Sequence, residues 1–384
     1  MSRPDRFFAP CPRGLEPALA EELKSLSAGG ITAVDGGVQF TGTYPLCYTI
    51  NLESRIASRV LWCVGHGPYG GEDDIFRITR ELPWSDWFGP QRTIRVNVAA
   101  IRSPLTSLNF ATLRIKDAVC DVFRDKTGTR PNVDTRFPDV RVHAFLTATE
   151  LTLYLDTSGD PLFKRGYRSV TGDAPLRENL AAGVLYLSGW QPGIPLLDPM
   201  CGSGTFLTEA AMIAAGMAPG ARRRFGFEKL RNFDRSAWEA LRDAARQRED
   251  RDIESSIYGS DRSREALRLA RTNLSAIGME RRVSLTQSNV VDMVAPAASG
   301  IIVMNPPYGV RIDEQEGLAH FYPQLGDALK KNFAGWTAYI LTADMRLPKL
   351  MRLAATKRTP LYNGPLDCRL FEYKLVAGSN RKRA

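Results

Sequence analysis

The 384-residue sequence has only six cysteines, Cys11, Cys47, Cys63, Cys120, Cys201 and Cys368, and none stands in a CxxC pair. This scatter argues against a cysteine zinc site and a disulfide framework, and it fits a reducing, cytoplasmic setting. There are three histidines, His66, His143 and His320, none close to another. No metal centre is expected. No apolar run approaches the ~20 residues of a membrane-spanning helix. The opening residues, MSRPDRFFAPCPRG, have no apolar core, so no signal peptide is expected. Long repeats and low-complexity blocks are also missing.

Apolar residues make up 43% of the chain, enough for sizeable cores. The length suggests two or three domains. The net charge is +9, from 51 basic against 42 acidic residues. A basic balance favours a polyanionic partner such as a nucleic acid; a solvated basic surface is the alternative.

The first third alternates helix and strand patterns. Leu15, Leu19, Leu23 and Leu26 recur at helical spacing, and VDGGVQFTG reads as strand and turn. ESRIASRVLW is expected to be a second helix, with Ile56, Val60 and Leu61 on one side. A small α+β unit therefore spans 1–65. A second unit, 66–157, has the half-buried strand TIRVNVAAI, a helix over ATLRIKDAVCDVFRD, and the strand pair VRVHAFLTA and ELTLYLDT. His143 falls opposite Val142 and Ala144 and is expected to be exposed.

A connector over 158–173 is rich in Gly, Pro, Ser and Thr. Its Lys164, Arg165, Tyr167 and Arg168 interleave charge with an aromatic ring, a pattern that suits an RNA backbone and a stacked base. A plain linker is the alternative. From 174 to 384 helices and strands alternate, the mark of an α/β domain with a mainly parallel sheet. Its strands are IPLLD, SSIYGSD, RVSLTQ, IIVMN and WTAYILT, and Asn363-Gly364 signals a closing antiparallel hairpin. Residues 217–252 read as a charged helical insertion, and the basic tail SNRKRA as disordered.

Two stretches carry chemistry. LLDPMCGSGTF sets a strand, Asp198, a glycine turn and a helix in order. The Gly202-Ser203-Gly204 turn lets a ligand approach the backbone, with helix N–H groups facing it. It is neither the dinucleotide fingerprint nor a P-loop. The next strand ends at Asp261, which suits a ribose diol or the N-cap of the helix that follows. Cys201 reads as a small buried loop residue rather than a nucleophile.

IIVMNPPYG ends a buried strand with Asn305, Pro306, Pro307 and Tyr308. The prolines fix φ and remove two N–H donors, so nearby carbonyls face outward without competing donors. The Asn305 side-chain oxygen and the Pro306 carbonyl can accept hydrogen bonds from an exocyclic amine. Tyr308 offers a face for a stacked base. A rigid strand-closing turn is the alternative.

DPMCGSGTF and NPPYG together resemble class I S-adenosylmethionine-dependent amino-methyltransferases. SLNFATLRIKDAVCDVF, RPNVD, YLDTSGDPLFKRGYR and DAPLRENLAAGVL resemble THUMP-domain RNA methyltransferases. FFAPCPRGLEPALAEEL and ESRIASRVL are similar to the start of the bacterial 23S rRNA guanine-N2 methyltransferase family (RlmL type). The resemblance covers nearly the whole chain. It implies an α/β fold with a ferredoxin-like unit (1–65), a THUMP RNA-binding domain (66–157), a linker (158–173) and a Rossmann-like methyltransferase domain (174–384).

It also implies S-adenosylmethionine as cofactor and N2-methylation of a guanine in RNA. The loop containing Asp198, Met200, Cys201, Gly202, Gly204 and Thr205 would hold the methionine part and Asp261 the ribose. Asn289, where many relatives have an acid, would accept the adenine amine. Asn305, Pro306, Pro307 and Tyr308 would hold the target base. The implied partner is large-subunit rRNA or its assembling particle, the expected state a monomer. The fused form's second methyltransferase module is expected to be absent. Rival readings are a tRNA guanine-N2 methyltransferase, a DNA adenine-N6 methyltransferase and an inactive RNA-binding assembly factor.

Overall fold

The structure is a computed structural model that describes residues 4–168, 176–307 and 312–376, without the side chains of 312–316 and 318. Tyr308 and the basic tail lie outside the described residues. The chain forms two compact units. The first takes Met1–Cys11, Ala20–Leu162 and Arg223–Ala244; the second takes Pro12–Leu19, Phe163–Arg222 and Ala245–Ala384.

The first unit holds strands β1 (Asp5–Pro10), β2 (Gly29–Val34), β3 (Gly37–Gly42), β4 (Leu61–Pro68), β5 (Ile94–Ala100), β6 (Val140–Leu146) and β7 (Glu150–Asp156). They make one sheet in the order β2-β3-β1-β4-β7-β6-β5. The pairing of β4 with β7 continues the sheet across residue 65, which falls inside β4. The helix Leu108–Thr127 opens at Ser107, whose hydroxyl accepts the Phe110 N–H, and closes at Gly128 with φ 71°. Ile115, Ala118, Val119, Val122 and Phe123 form its buried face, as their helical spacing predicts.

ESRIASRVLW is not a helix. The helix lies earlier, at Leu46–Glu53, and Ser54 ends it in an extended conformation. The Glu22 carboxylate holds the segment open by accepting from the Ser54 hydroxyl (2.5 Å) and the Arg55 N–H (2.8 Å). Ile56, Ala57 and Val60 are buried all the same. Apolar spacing alone could not register a carboxylate arriving from another helix. His143 is also not open to solvent. Its side chain is 24% exposed, with Nε2 3.6 Å from the buried Asp156 carboxylate.

Part of the expected charged insertion belongs to this first unit through its aromatic rings. Phe225, Phe227, Phe233 and Trp238 gather around Tyr48, with the Tyr48 and Phe227 centroids 4.6 Å apart. The Tyr48 hydroxyl accepts the Asp234 N–H (3.0 Å) and donates to the Asn232 carbonyl (3.2 Å).

The second unit holds β8 (Leu196–Asp198), β9 (Ile257–Asp261), β10 (Val283–Gln287), β11 (Gly300–Met304), β12 (Trp336–Thr342), β13 (Lys357–Asn363) and β14 (Leu366–Lys374). Their order is β10-β9-β8-β11-β12-β14-β13. The first five run parallel, and β14 pairs antiparallel with β12 and β13. The chain leaves β8 toward β9 on one side and returns as β11 on the other. That reversal is a switch point, where carboxyl-end loops diverge and open a ligand crevice. Beneath it, Leu197, Ile302, Met304, Tyr322, Leu325 and Trp336 belong to one buried apolar cluster.

Candidate cofactor and target-base site

Asp198 ends β8 and is buried at 2% exposure. One of its oxygens accepts the Met200 N–H at 3.2 Å. Burial pushes its pKa well above the ordinary carboxylate value, and the neighbouring Asp261 charge adds to the rise. Among the described residues no Lys or Arg pairs with it.

The glycine loop is tied at several points. Gly202 (φ 53°) and Gly204 (φ 77°) occupy left-handed conformations that a side chain would strain. A Cβ on Gly204 would sit 3.0 Å from the Ala270 Cβ, so glycine also permits close packing of the helix Arg264–Ala276. A Cβ on Gly202 would meet nothing within 4 Å, which leaves that side of the loop open. Asp261 reaches across from β9 to accept the Gly202 N–H at 2.9 Å and the Ser263 N–H at 2.9 Å. The helix cap itself is Ser263, whose hydroxyl accepts the Ala266 N–H. The N-cap alternative for Asp261 is thereby corrected: Asp261 braces the loop. Asn273 adds a bond to the Ser203 carbonyl at 2.9 Å.

Cys201 is 6% exposed. Burial drives its thiol pKa up, and Asp198 and Asp261 add to the effect. A buried thiol pushed toward its neutral form agrees with a small packed loop residue. Asn289 is exposed, and its side-chain oxygen caps the short turn Val290–Asp292 through a long 3.4 Å contact with the Val291 N–H.

β11 delivers Asn305, Pro306 and Pro307 to the same carboxyl edge as Asp198. Pro306 is buried and Pro307 exposed. The Pro307 carbonyl accepts the Tyr322 hydroxyl at 3.2 Å. Tyr322 is fully buried in the helix Ile312–Asn332. It went unnoticed in the sequence, where a Tyr-Pro pair within helical spacing was the available signal.

The four connector residues expected to meet RNA all belong to the second unit, and three of them are withdrawn from its surface. Arg165 is 2% exposed, and its Nε and Nη2 reach the two carboxylate oxygens of Glu209 at 3.2 and 3.3 Å. Tyr167 is 4% exposed. Arg168 has its Nε 3.4 Å from Glu178, and its Nη2 donates to the Thr205 hydroxyl at 2.6 Å. The two guanidinium groups are engaged by buried carboxylates and by the first residue of the helix Thr205–Ala214, and the Tyr167 ring is buried beside them. The expectation of RNA contact is therefore corrected for these three; Lys164 alone is exposed. Glu209, a lone acid in the apolar run TFLTEAAMIA, was the signal for a buried cation.

Residues 165–372 match the RMKL-like methyltransferase domain. The chain belongs to the RMKL-like methyltransferase family. Ahead of that domain, residues 6–61 match the RlmL ferredoxin-like domain and residues 69–156 the THUMP domain. This RMKL-like chain is 37% identical to slr0064 of Synechocystis sp. over 96% of both chains. It is 38% identical to the ribosomal RNA large subunit methyltransferase K/L of Shewanella oneidensis over 98% of its own length and 54% of that protein. It thus spans about half the length of the K/L relatives. The crystal structure of SMU.472 in complex with SAH superposes with a TM-score of 0.87 at 29% identity, covering 99% of this chain and 100% of that one.

The chain is thus a methyltransferase with S-adenosylmethionine as its cofactor. Its β8–β9 edge suits that cofactor. A buried carboxylate without a basic partner fits the methionine ammonium group, and the open side of Gly202 leaves room against the backbone.

Proposed function

We propose that this protein methylates the exocyclic N2 amine of a guanine in RNA, with large-subunit rRNA as the substrate. The observation that carries the reading is the shared edge. The Asp198 loop follows β8, and Asn305-Pro306-Pro307 follows β11, its immediate parallel neighbour. A cofactor held at the first loop and an amine held at the second meet in one crevice.

In this reading the chain's residues work by position. Asp198 and the loop from Met200 to Thr205 hold the amino-acid end of the cofactor, Asp261 its ribose and Asn289 its adenine. Bound S-adenosylmethionine supplies an electrophilic methyl carbon on a positively charged sulfur. Asn305 and the Pro306 carbonyl accept the two N–H bonds of the target amine. The Tyr322 bond to the Pro307 carbonyl supports the reading by fixing the loop that carries these two acceptors. Two acceptors on its hydrogens bias the amine nitrogen toward pyramidal geometry. Its lone pair, otherwise delocalised into the ring, then becomes available to form the N–C bond as the C–S bond breaks. Attack leaves a cationic, strongly acidic nitrogen that loses one proton to water, so no ionised base is required before attack. Tyr308 completes the reading as a stacking face for a base taken out of its stack.

The THUMP match and the names of the K/L relatives support RNA, and large-subunit rRNA in particular, over DNA. Asn305→Ala tests the division of labour. Methyl transfer should be abolished while cofactor affinity, measured by calorimetry, stays within about twofold of wild type. An equal loss of cofactor affinity would place Asn305 on the wrong ligand.

A further inference from the structure

The carboxyl edge of the second unit carries a set of donors beyond Asn305-Pro306-Pro307. β11 and β12 run parallel with Met304 opposite Ile340, so the loops that follow both strands leave at the same edge. After β12 come Ala343, Asp344, Met345 and Arg346, and then the short helix Leu347–Met351. Asp344 is 8% exposed, whereas the Arg346 side chain is 51% exposed. Arg346 Nε donates to one Asp344 oxygen at 2.9 Å and Nη2 to the other at 2.8 Å. The Asp344 N–H is tied back to the Thr342 hydroxyl at 3.0 Å.

This two-point clamp fixes the plane of the guanidinium. It uses Nε and one Nη. The other, Nη1, has no protein partner among the described residues, and the side chain as a whole is half exposed. A guanidinium held rigid at a ligand-binding edge loses little entropy when it binds an anion. Lys349 and Arg352 are exposed on the same short stretch. Tyr322, which holds Pro307, lies within electrostatic reach of both Asp344 and Arg346. The target-base loop follows β11 and the clamp follows its paired neighbour β12, so the two leave the sheet at the same edge.

We propose that Arg346, oriented by Asp344 and assisted by Lys349, grips a phosphate of the RNA strand next to the target nucleotide. This rests on the RNA reading above. A phosphate is favoured over a base edge because the strip is cationic and solvent-facing. A flipped nucleotide also leaves its flanking phosphates at the mouth of the crevice.

The test measures binding of an unmodified large-subunit rRNA transcript across a salt series for wild type, Arg346→Ala and Lys349→Ala. Cofactor affinity is measured in parallel by calorimetry. Each variant should weaken RNA binding at least threefold and lower the slope of log affinity against log salt by about one, with cofactor affinity unchanged. Lys349→Ala leaves the Asp344 clamp intact, so it reports even if Arg346→Ala disturbs the loop. Wild-type affinity and slope in both variants would overturn the assignment. A wild-type protein that neither binds nor methylates RNA would overturn it together with the RNA reading. RNA methylation with unaltered variants would overturn the assignment alone.

Discussion

The Tyr322 hydroxyl donates to the Pro307 carbonyl at 3.2 Å, joining a fully buried helix residue to the loop assigned to the target amine. Burial pushes the hydroxyl pKa up to about 12, so it remains a donor throughout the working pH range. Tyr322→Phe removes this bond and keeps the ring. A neutral hydrogen bond is worth about 0.5–1.5 kcal/mol, so the melting temperature should fall only slightly. The turnover number should fall by roughly tenfold, as the loop loses its fixed geometry. Stopped-time methyl-transfer assays check this, and an unchanged turnover number would show that Tyr322 is only packing.

Asp198 predicts a pH dependence whose sign can be worked out. Its folded pKa is raised, so in the window between the ordinary carboxylate value and the raised one the folded state binds more protons than the unfolded state. Stability of the cofactor-free protein should therefore fall as pH rises through that window. A bound ammonium group favours the ionised form, so cofactor affinity should rise over the same window. Asp198→Asn should flatten both trends relative to wild type. Calorimetric titrations at several pH values provide the check, with thermal melts alongside. A variant that keeps the wild-type pH slope would contradict this account of Asp198.

Phe227 is fully buried and packs 4.6 Å from Tyr48 and 5.1 Å from Trp238, centroid to centroid. Removing such a ring costs about 3–5 kcal/mol. Phe227→Ala should therefore lower the melting temperature. It should also increase hydrogen exchange in the helix Leu46–Glu53 more than in β8–β12. An exchange increase centred on the second unit would mean that this aromatic cluster does not support the first.

Arg165 and Glu209 make a buried ion pair in the second unit. Taking away one partner of such a pair costs about 3–5 kcal/mol, because a charge is left alone in a dry site. Arg165→Ala should be strongly destabilising, yet leave the salt slope of RNA binding unchanged in whatever protein remains folded. A lower slope at wild-type stability would restore Arg165 to the RNA surface.

Much of the fold could be read because periodicity reports burial. The helix over Leu108–Thr127, the parallel strands from IPLLD to WTAYILT and the Asn363-Gly364 hairpin all follow from spacing and turn chemistry. The shared edge of the Asp198 loop and the Asn305 loop followed from strand-loop order and from resemblance together. What escaped was set by contacts distant in sequence. Glu22 opens the segment after Ser54, and Glu209 draws Arg165 inward although its neighbours look like an exposed basic loop. Asp261 leaves the helix cap to Ser263 because its carboxylate is needed at Gly202. Each is a buried or bridging carboxylate whose partner no local pattern could name.

The central claim is methylation of guanine N2 in RNA. Its most direct test is methyl transfer from labelled S-adenosylmethionine to separate unmodified samples of 23S rRNA, tRNA and DNA, followed by nucleoside mass spectrometry. The account predicts N2-methylguanosine in the 23S rRNA sample. N2-methylguanosine in tRNA alone would keep the chemistry and contradict the substrate, and N6-methyladenine in DNA would contradict both.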